Sequence, residues 1–232
     1  MAIAHDAGTA PLTPGFHAVA PGDLAAVVTA LEMREMPVAM RRPGIEPDVP
    51  LQLERWTDCA PERYRLLYRR IGAPWLWWSR LALDDAALVA IIHNPAVELY
   101  AVTDRARVEI GMLELDFRTD GACEIAFFGF VPKATGHGFG KWLMRRALQR
   151  AWLSGNSVEK VRSVEKVWSV EKVRPVEKVW VHTCTLDDPG AVAFYTKQGF
   201  VPHARFVEVF RDPRACGLLT DDLGPLHPLI VD

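Results

Sequence analysis

The sequence lacks three features that would each have set its class at once. No uninterrupted apolar run reaches the ~18 residues of a membrane-spanning helix. The best candidate, Ala86 to Val102, is broken by His93, Asn94 and Pro95. Charge of one sign is not in surplus either. The 27 Lys and Arg stand against 29 Asp and Glu, a net of -2, so no general basic excess exists to grip nucleic-acid phosphates. Cysteine is scarce. Cys59, Cys123, Cys184 and Cys216 are too widely spaced for a C-x-x-C pair or a disulfide framework, and free thiols in a reducing compartment follow. The first residues have neither the basic start nor the apolar stretch of a secretory leader. They are small, polar and proline-bearing from Ala2 to Gly15. The expectation is a cytoplasmic protein with a loose tail over 1–20, binding neither nucleic acid nor membrane.

What the sequence does hold is an ordinary globular composition, 50% hydrophobic and 24% charged over 232 residues, enough to bury a core without staples. Val-Val-Thr within Ala25–Met36 favours a first strand. The Arg-, Pro- and Gly-rich stretch Met40–Pro50 reads as a loop. In Pro61–Ile71, Tyr64, Leu67, Tyr68 and Ile71 recur at helical spacing behind an initial proline, and Gly72 ends the helix. Asp84 and Asp85 open a second helix over Ala86–His93. Strands are expected over Val97–Val102, Val108–Phe117 and Glu124–Val131, the last two joined by an Asp120-Gly121 turn. A helix over Trp142–Trp152, a strand over Val176–Thr183, a helix over Pro189–Gln198 between Asp188 and Gly199, and a short strand over Phe206–Phe210 follow. This order predicts an α/β (α+β) domain with a mixed sheet over 21–212, and a C-terminal tail over 213–232.

One segment stands apart. Residues Ser157–Trp180 are four copies of a hexapeptide: SVEKVR, SVEKVW, SVEKVR and PVEKVW. Its valines recur every third residue, which gives neither a helix nor a strand a steady apolar face. Residues 157–174 therefore read as a duplicated insertion in a surface connection, and only the last copy runs on into a strand.

The densest chemical signal is a strand, a glycine-punctuated loop and a helix: EIAFFGFVPKATGHGFGKWLMRRAL. Residues without side chains let backbone N–H groups approach a phosphate, and the helix start adds its positive dipole end. The loop is not a P-loop, because Trp142 follows Gly140-Lys141 and Thr135 holds the first glycine position. Nor is it the dinucleotide fingerprint, whose third glycine would fall on Lys141.

Thr135-Gly136-His137-Gly138-Phe139-Gly140 instead resembles the [RQ]-x-x-G-x-[GA] loop of the GCN5-related N-acetyltransferase (GNAT) superfamily, with Thr135 in place of Arg or Gln. A second family signature, N-x-x-A-x-x-x-Y-x-x-x-G-F, is similar to the run from Asp188 through Ala191, Tyr195 and Gly199 to Phe200, with Asp188 in the Asn position. The two fall in the family's order, and the resemblance covers about Val97–Phe210.

The resemblance implies a mostly antiparallel sheet flanked by helices and opened between two splayed parallel strands, Glu124–Val131 and Val176–Thr183. Acetyl-CoA as co-substrate would lie in that opening, with no metal and no covalent intermediate. Main-chain groups of Phe130 and Val131 would pair with the pantetheine arm. The loop from Thr135 through Gly136, His137, Gly138, Phe139 and Gly140 to Lys141, together with Asp188, would hold the phosphates. Glu124 matches the position of the general base in the histone-acetylating branch, with His182 as the other candidate. Tyr195 would donate a proton to the leaving sulfur. Trp75, Trp77 and Trp78 would wall the acceptor pocket or bury into the core.

The implied activity is acetyl transfer to a primary amine of a small molecule or peptide, with a homodimer left open. A non-catalytic acyl-CoA-binding module of the same fold and a nucleotide-binding domain remain as alternatives.

Overall fold

The computed structural model describes residues 11–40, 47–154, 175–224 and 227–230. Among them, seven strands form one sheet: β1 (Asp23–Met33), β2 (Gln52–Trp56), β3 (Val97–Thr103), β4 (Glu109–Asp116), β5 (Ala122–Phe130), β6 (Lys178–Cys184) and β7 (Val201–Arg211). Their order across the sheet is β2-β3-β4-β5-β6-β1-β7. Four helices cover it: α1 (Pro61–Gly72), α2 (Asp85–Ile92), α3 (Phe139–Ser154) and α4 (Ala191–Lys197).

Each helix shows the local chemistry that starts and orients it. Pro61 opens α1, and Glu62 in its first turn and Arg69 and Arg70 in its last complement the helix dipole. Tyr64, Leu67, Tyr68 and Ile71 fall on its buried face. Asp84 caps α2 by accepting from the Ala87 N–H at 2.7 Å. Helices α1 and α2 cover one face of the sheet, and α3 and α4 the other, giving two apolar layers.

Every pairing in the sheet is antiparallel except β5 with β6. That parallel ladder has three rungs, Ala122↔Lys178, Cys123↔Val179 and Glu124↔Trp180, and then stops. Beyond it β5 stays on β4 and β6 stays on β1, so the sheet splits at Glu124 as the resemblance implies. A β-bulge helps to part them. Glu114 pairs with Phe127 but Leu115 with Ile125, which leaves Ala126 as the extra residue and bends β5.

The bulge also changes which side chains share a face. Cys123 and Ile125 lie in the layer under α3, but after the bulge it is Phe128 and Phe130 that do so. Glu124 is therefore aligned with Phe127 toward α1, not with Phe128 and Phe130 as unbroken alternation predicts.

Several elements exceed their sequence expectation. The strand β2 has no alternating apolar signal and forms by edge pairing with β3. The strand β7 begins five residues earlier than expected, paired along β1. The segment after Arg211, expected as a tail, packs down. Asp212 and Arg214 form a buried pair at 2.7 Å, and Leu219 joins the layer under α1. Repeat residues 157–174 lie outside the described residues. The last copy is described, and the Glu177 N–H donates to the Gly121 carbonyl at 2.7 Å as the chain enters β6.

Candidate active site

Where β5 and β6 part, the sheet is pierced by a cavity of about 420 Å³. Its wall on the α3 side holds the glycine loop, Phe128, Phe194 and Tyr195. On the α1 side it holds Trp75, Trp77, Trp78, Arg80, Phe127 and Glu124. The cavity thus joins the two faces through the parallel seam between β5 and β6.

The glycine loop is shaped by two left-handed residues. Gly136 and Gly138 both have φ of 79°, and a Cβ at either would meet nothing within 4 Å. Side chains are therefore excluded there by backbone conformation and not by crowding. The amides from Gly136 to Gly140 donate to no other described residue, and they stand at the start of the 16-residue α3. Unengaged N–H groups facing open space at a helix N-terminus suit a pyrophosphate, so the loop fits the phosphates of CoA.

The other loop residues divide the work. The Thr135 hydroxyl donates to the Pro132 carbonyl at 2.7 Å, and His137 Nδ1 bonds the Thr135 carbonyl at 2.8 Å. Both brace the turn. Phe139 is buried against Phe130, with ring centroids 5.8 Å apart. The Lys141 amide is already engaged by the Gly138 carbonyl at 3.1 Å, which leaves its exposed side chain as the nearby charge. The Asp188 carboxylate accepts from the Gly190 N–H at 2.7 Å, bracing the entry to α4.

Main-chain geometry narrows the expected pantetheine contacts. The Val131 N–H donates to the Ile110 carbonyl at 2.9 Å, and its own carbonyl accepts from Ala134 at 2.8 Å. Val131 therefore has no N–H left to offer, and its carbonyl is already engaged. Strand alternation turns the polar groups of Phe130 and Phe128 the other way, toward the gap.

Tyr195 projects from α4 into the cavity wall, packed between Phe128, Phe194 and Phe200. Burial, reinforced by the charge of Asp187, raises its phenol pKa well above the ordinary value. On the opposite face Glu124 is 8% exposed, and its Oε1 lies 3.4 Å from His182 Nδ1. The two candidate bases are thus neighbours. His182 Nδ1 is buried without a hydrogen-bond partner.

Tertiary contacts add residues with no motif to announce them. Asp187 accepts from Trp77 Nε1 at 3.0 Å, from the Thr183 hydroxyl at 2.8 Å and from the Cys184 N–H at 2.9 Å. It thereby ties the tryptophan wall to the end of β6. Trp78 stacks on Phe210 at 5.2 Å, and Trp77 packs against Tyr68 and Phe127. The tryptophans therefore both line the cavity and pack into the layer under α1. Arg80 pairs with the fully buried Glu114 at 2.6 Å, and the Tyr64 hydroxyl donates to the same carboxylate. Arg118 forks onto Asp116, the residue opposite Glu124 in the ladder.

No family model matches the chain, and no curated protein matches it in sequence. Solved structures share its architecture. A conserved protein of unknown function from Staphylococcus epidermidis superposes with a TM-score of 0.52 at 15% identity, over 82% of this chain and 64% of that one. A GNAT-family protein from Novosphingobium aromaticivorans gives 0.50 at 14% identity, over 84% of this chain and 69% of that one. A GCN5-related N-acetyltransferase from Sphaerobacter thermophilus gives 0.48 at 13% identity, over 80% and 51%. The chain has the fold of the GCN5-related N-acetyltransferases. It spans less than two thirds of the first of these proteins and about half of the third.

Proposed function

We propose that this protein moves an acetyl group from acetyl-CoA directly to a primary amine. The observation that carries this reading is the cavity at the β5–β6 split, with the glycine loop on one face and a carboxylate among aromatic walls on the other. When bound, acetyl-CoA supplies an activated acyl carbon and a thiol leaving group.

Each residue then has a task set by its place. The amides of Gly136 to Gly140 donate to pyrophosphate oxygens, with the α3 dipole behind them. Main-chain groups of Phe128 and Phe130 hold the pantetheine arm as an added strand. An alkyl ammonium has a pKa of ~10.4 and cannot attack until it loses a proton. Glu124, with His182 beside it, accepts that proton on the acceptor side. Tyr195 keeps its own proton at neutral pH because burial disfavours the phenolate, and its O–H donates a hydrogen bond that stabilises the charge developing on the departing sulfur.

Thiol release from acetyl-CoA across a panel of primary amines tests the reading, alongside calorimetric titration of acetyl-CoA alone. Binding without turnover on any amine would favour a non-catalytic acyl-CoA module. Binding of ATP or NAD in preference to CoA would favour a nucleotide site.

A further inference from the structure

Arg80 is an unusual residue to find in an acceptor pocket. Its side chain is 5% exposed and forms part of the cavity wall, with the guanidinium 5.0 Å over the Phe127 ring. Only Nη2 is engaged, on Glu114. Nε is buried with no partner, and Nη1 bonds no described residue. A buried guanidinium normally has its donors satisfied, since each unmet one costs free energy. A half-satisfied buried ion pair is a poor stabilising device. Nη1, unengaged and not buried, is the donor through which a ligand can meet the guanidinium.

The remaining charges say what kind. Glu114 is engaged by Arg80 and Tyr64, Asp116 by Arg118, and Asp187 by three donors. That leaves Glu124 as the anion, and two cations with donors to spare: Arg80 within the wall, and Arg118, whose half-exposed Nη1 bonds no described residue. Glu124 and Arg80 are close. Glu114 and Asp116 are two residues apart on β4, or about 7 Å. Arg80 is held at the first, and Glu124 faces the second across the ladder. Glu208, another carboxylate on the cavity wall, is three strands from β5, or about 14 Å at the usual spacing, and further along the sheet. A small acceptor at Glu124 reaches Arg80 but not Glu208.

We propose that Arg80 is the anchor for a carboxylate on the acceptor, and that the acceptor is a free amino acid. Its amine meets Glu124 and its carboxylate meets Nη1 of Arg80. The inference rests on the transferase reading and adds a specificity-determining residue to it. The aromatic wall of Trp75, Trp77 and Phe127 would then surround an apolar side chain.

The test uses matched acceptors that differ only in the carboxylate: phenylalanine, its amide and phenethylamine. The full chain is expected to favour phenylalanine by at least about tenfold in kcat/KM over both others. Arg80→Met alone strands the buried Glu114 charge and puts the fold at risk, so Arg80→Met/Glu114→Gln removes both charges together. In that variant, with its fold checked by circular dichroism, the preference is expected to fall to near parity. Calorimetric titration of N-acetylphenylalanine against N-acetylphenethylamine reads the same preference without turnover, so it stands even if no amine is acetylated. Equal affinity for the two products, equal use of the amide, or a preference that survives in the double variant each overturns the proposal.

Discussion

His182 Nδ1 stands 3.4 Å from Glu124 Oε1, just past the last rung of the parallel ladder. Two residues 58 positions apart in sequence thus stand side by side at the mouth of the split. The distance allows an ion pair when the imidazole is protonated, and Nδ1 has no other partner. Under the proposed transfer, Glu124 and His182 are therefore taken as one unit and not as independent candidates.

Their adjacency makes a kinetic prediction. Glu124→Gln is expected to lower kcat/KM by ~10²–10⁴-fold, the usual range for loss of a general base. Acetyl-CoA affinity should hold, because Glu124 lies across the sheet from the glycine loop. His182→Asn should add less in the Glu124→Gln background than alone, since both act on one proton. Steady-state rates of the two single variants and the double, with titration of acetyl-CoA, check this. Additive losses would separate the two residues.

The glycines of the loop should not be equivalent. Gly138→Val forces a β-branched residue into φ of 79°, at a cost of ~1–2 kcal/mol in backbone conformation alone, and fills the space before the amides. Cofactor binding should be lost while the fold remains. Gly140→Ala should bind normally, because its Cβ would meet only Phe194 at 3.5 Å, an ordinary contact. Calorimetry with acetyl-CoA on both variants distinguishes them.

All four tyrosines, Tyr64, Tyr68, Tyr100 and Tyr195, have phenols raised above the ordinary pKa, with burial as the largest cause in each. The sign follows directly. In the unfolded chain the phenols ionise near pH ~10, before the folded ones, so their contribution to stability is full below that pH and is lost as pH rises toward the native values. Phenolate absorbance should therefore appear together with unfolding in alkali, as one cooperative step. A tyrosine that ionises near pH ~10 in the folded protein would contradict its burial.

Removing Glu114 should be costly even though it touches no reacting atom. Glu114→Ala leaves the Arg80 charge buried and the Tyr64 hydroxyl unpartnered, and such losses run to ~3–5 kcal/mol. Denaturant unfolding measures this. Arg80→Met/Glu114→Gln, which removes both charges, should recover much of the loss.

Much of the fold was legible because local rules and global packing agree. Pro61, Glu62 and the Tyr64-Leu67-Tyr68-Ile71 stripe determine α1 by themselves, since capping and periodicity act within a few residues. The glycine loop and the run from Asp188 to Phe200 were legible for the same reason, as was Tyr195 within it. What the sequence could not determine depends on where strands stop pairing. A single extra residue, Ala126, turned Glu124 from the face of Phe128 to that of Phe127, and no periodicity rule registers a bulge. Hydrogen bonds to Ile110 and Ala134 engaged Val131, and only the register of β4 against β5 decides that. Arg80, Glu114, Asp116 and Asp187 come from three separate stretches of chain: the segment after α1, the strand β4 and the turn after β6. Each looks like an ordinary polar residue alone, and they become a site only when the sheet brings them to one cavity. Local rules suffice for α1, α2 and the glycine turn, whose signals lie within a few residues of one another. Tertiary structure decided which charges are engaged and which remain available to a ligand, because that is a property of distances between elements and not of any one of them.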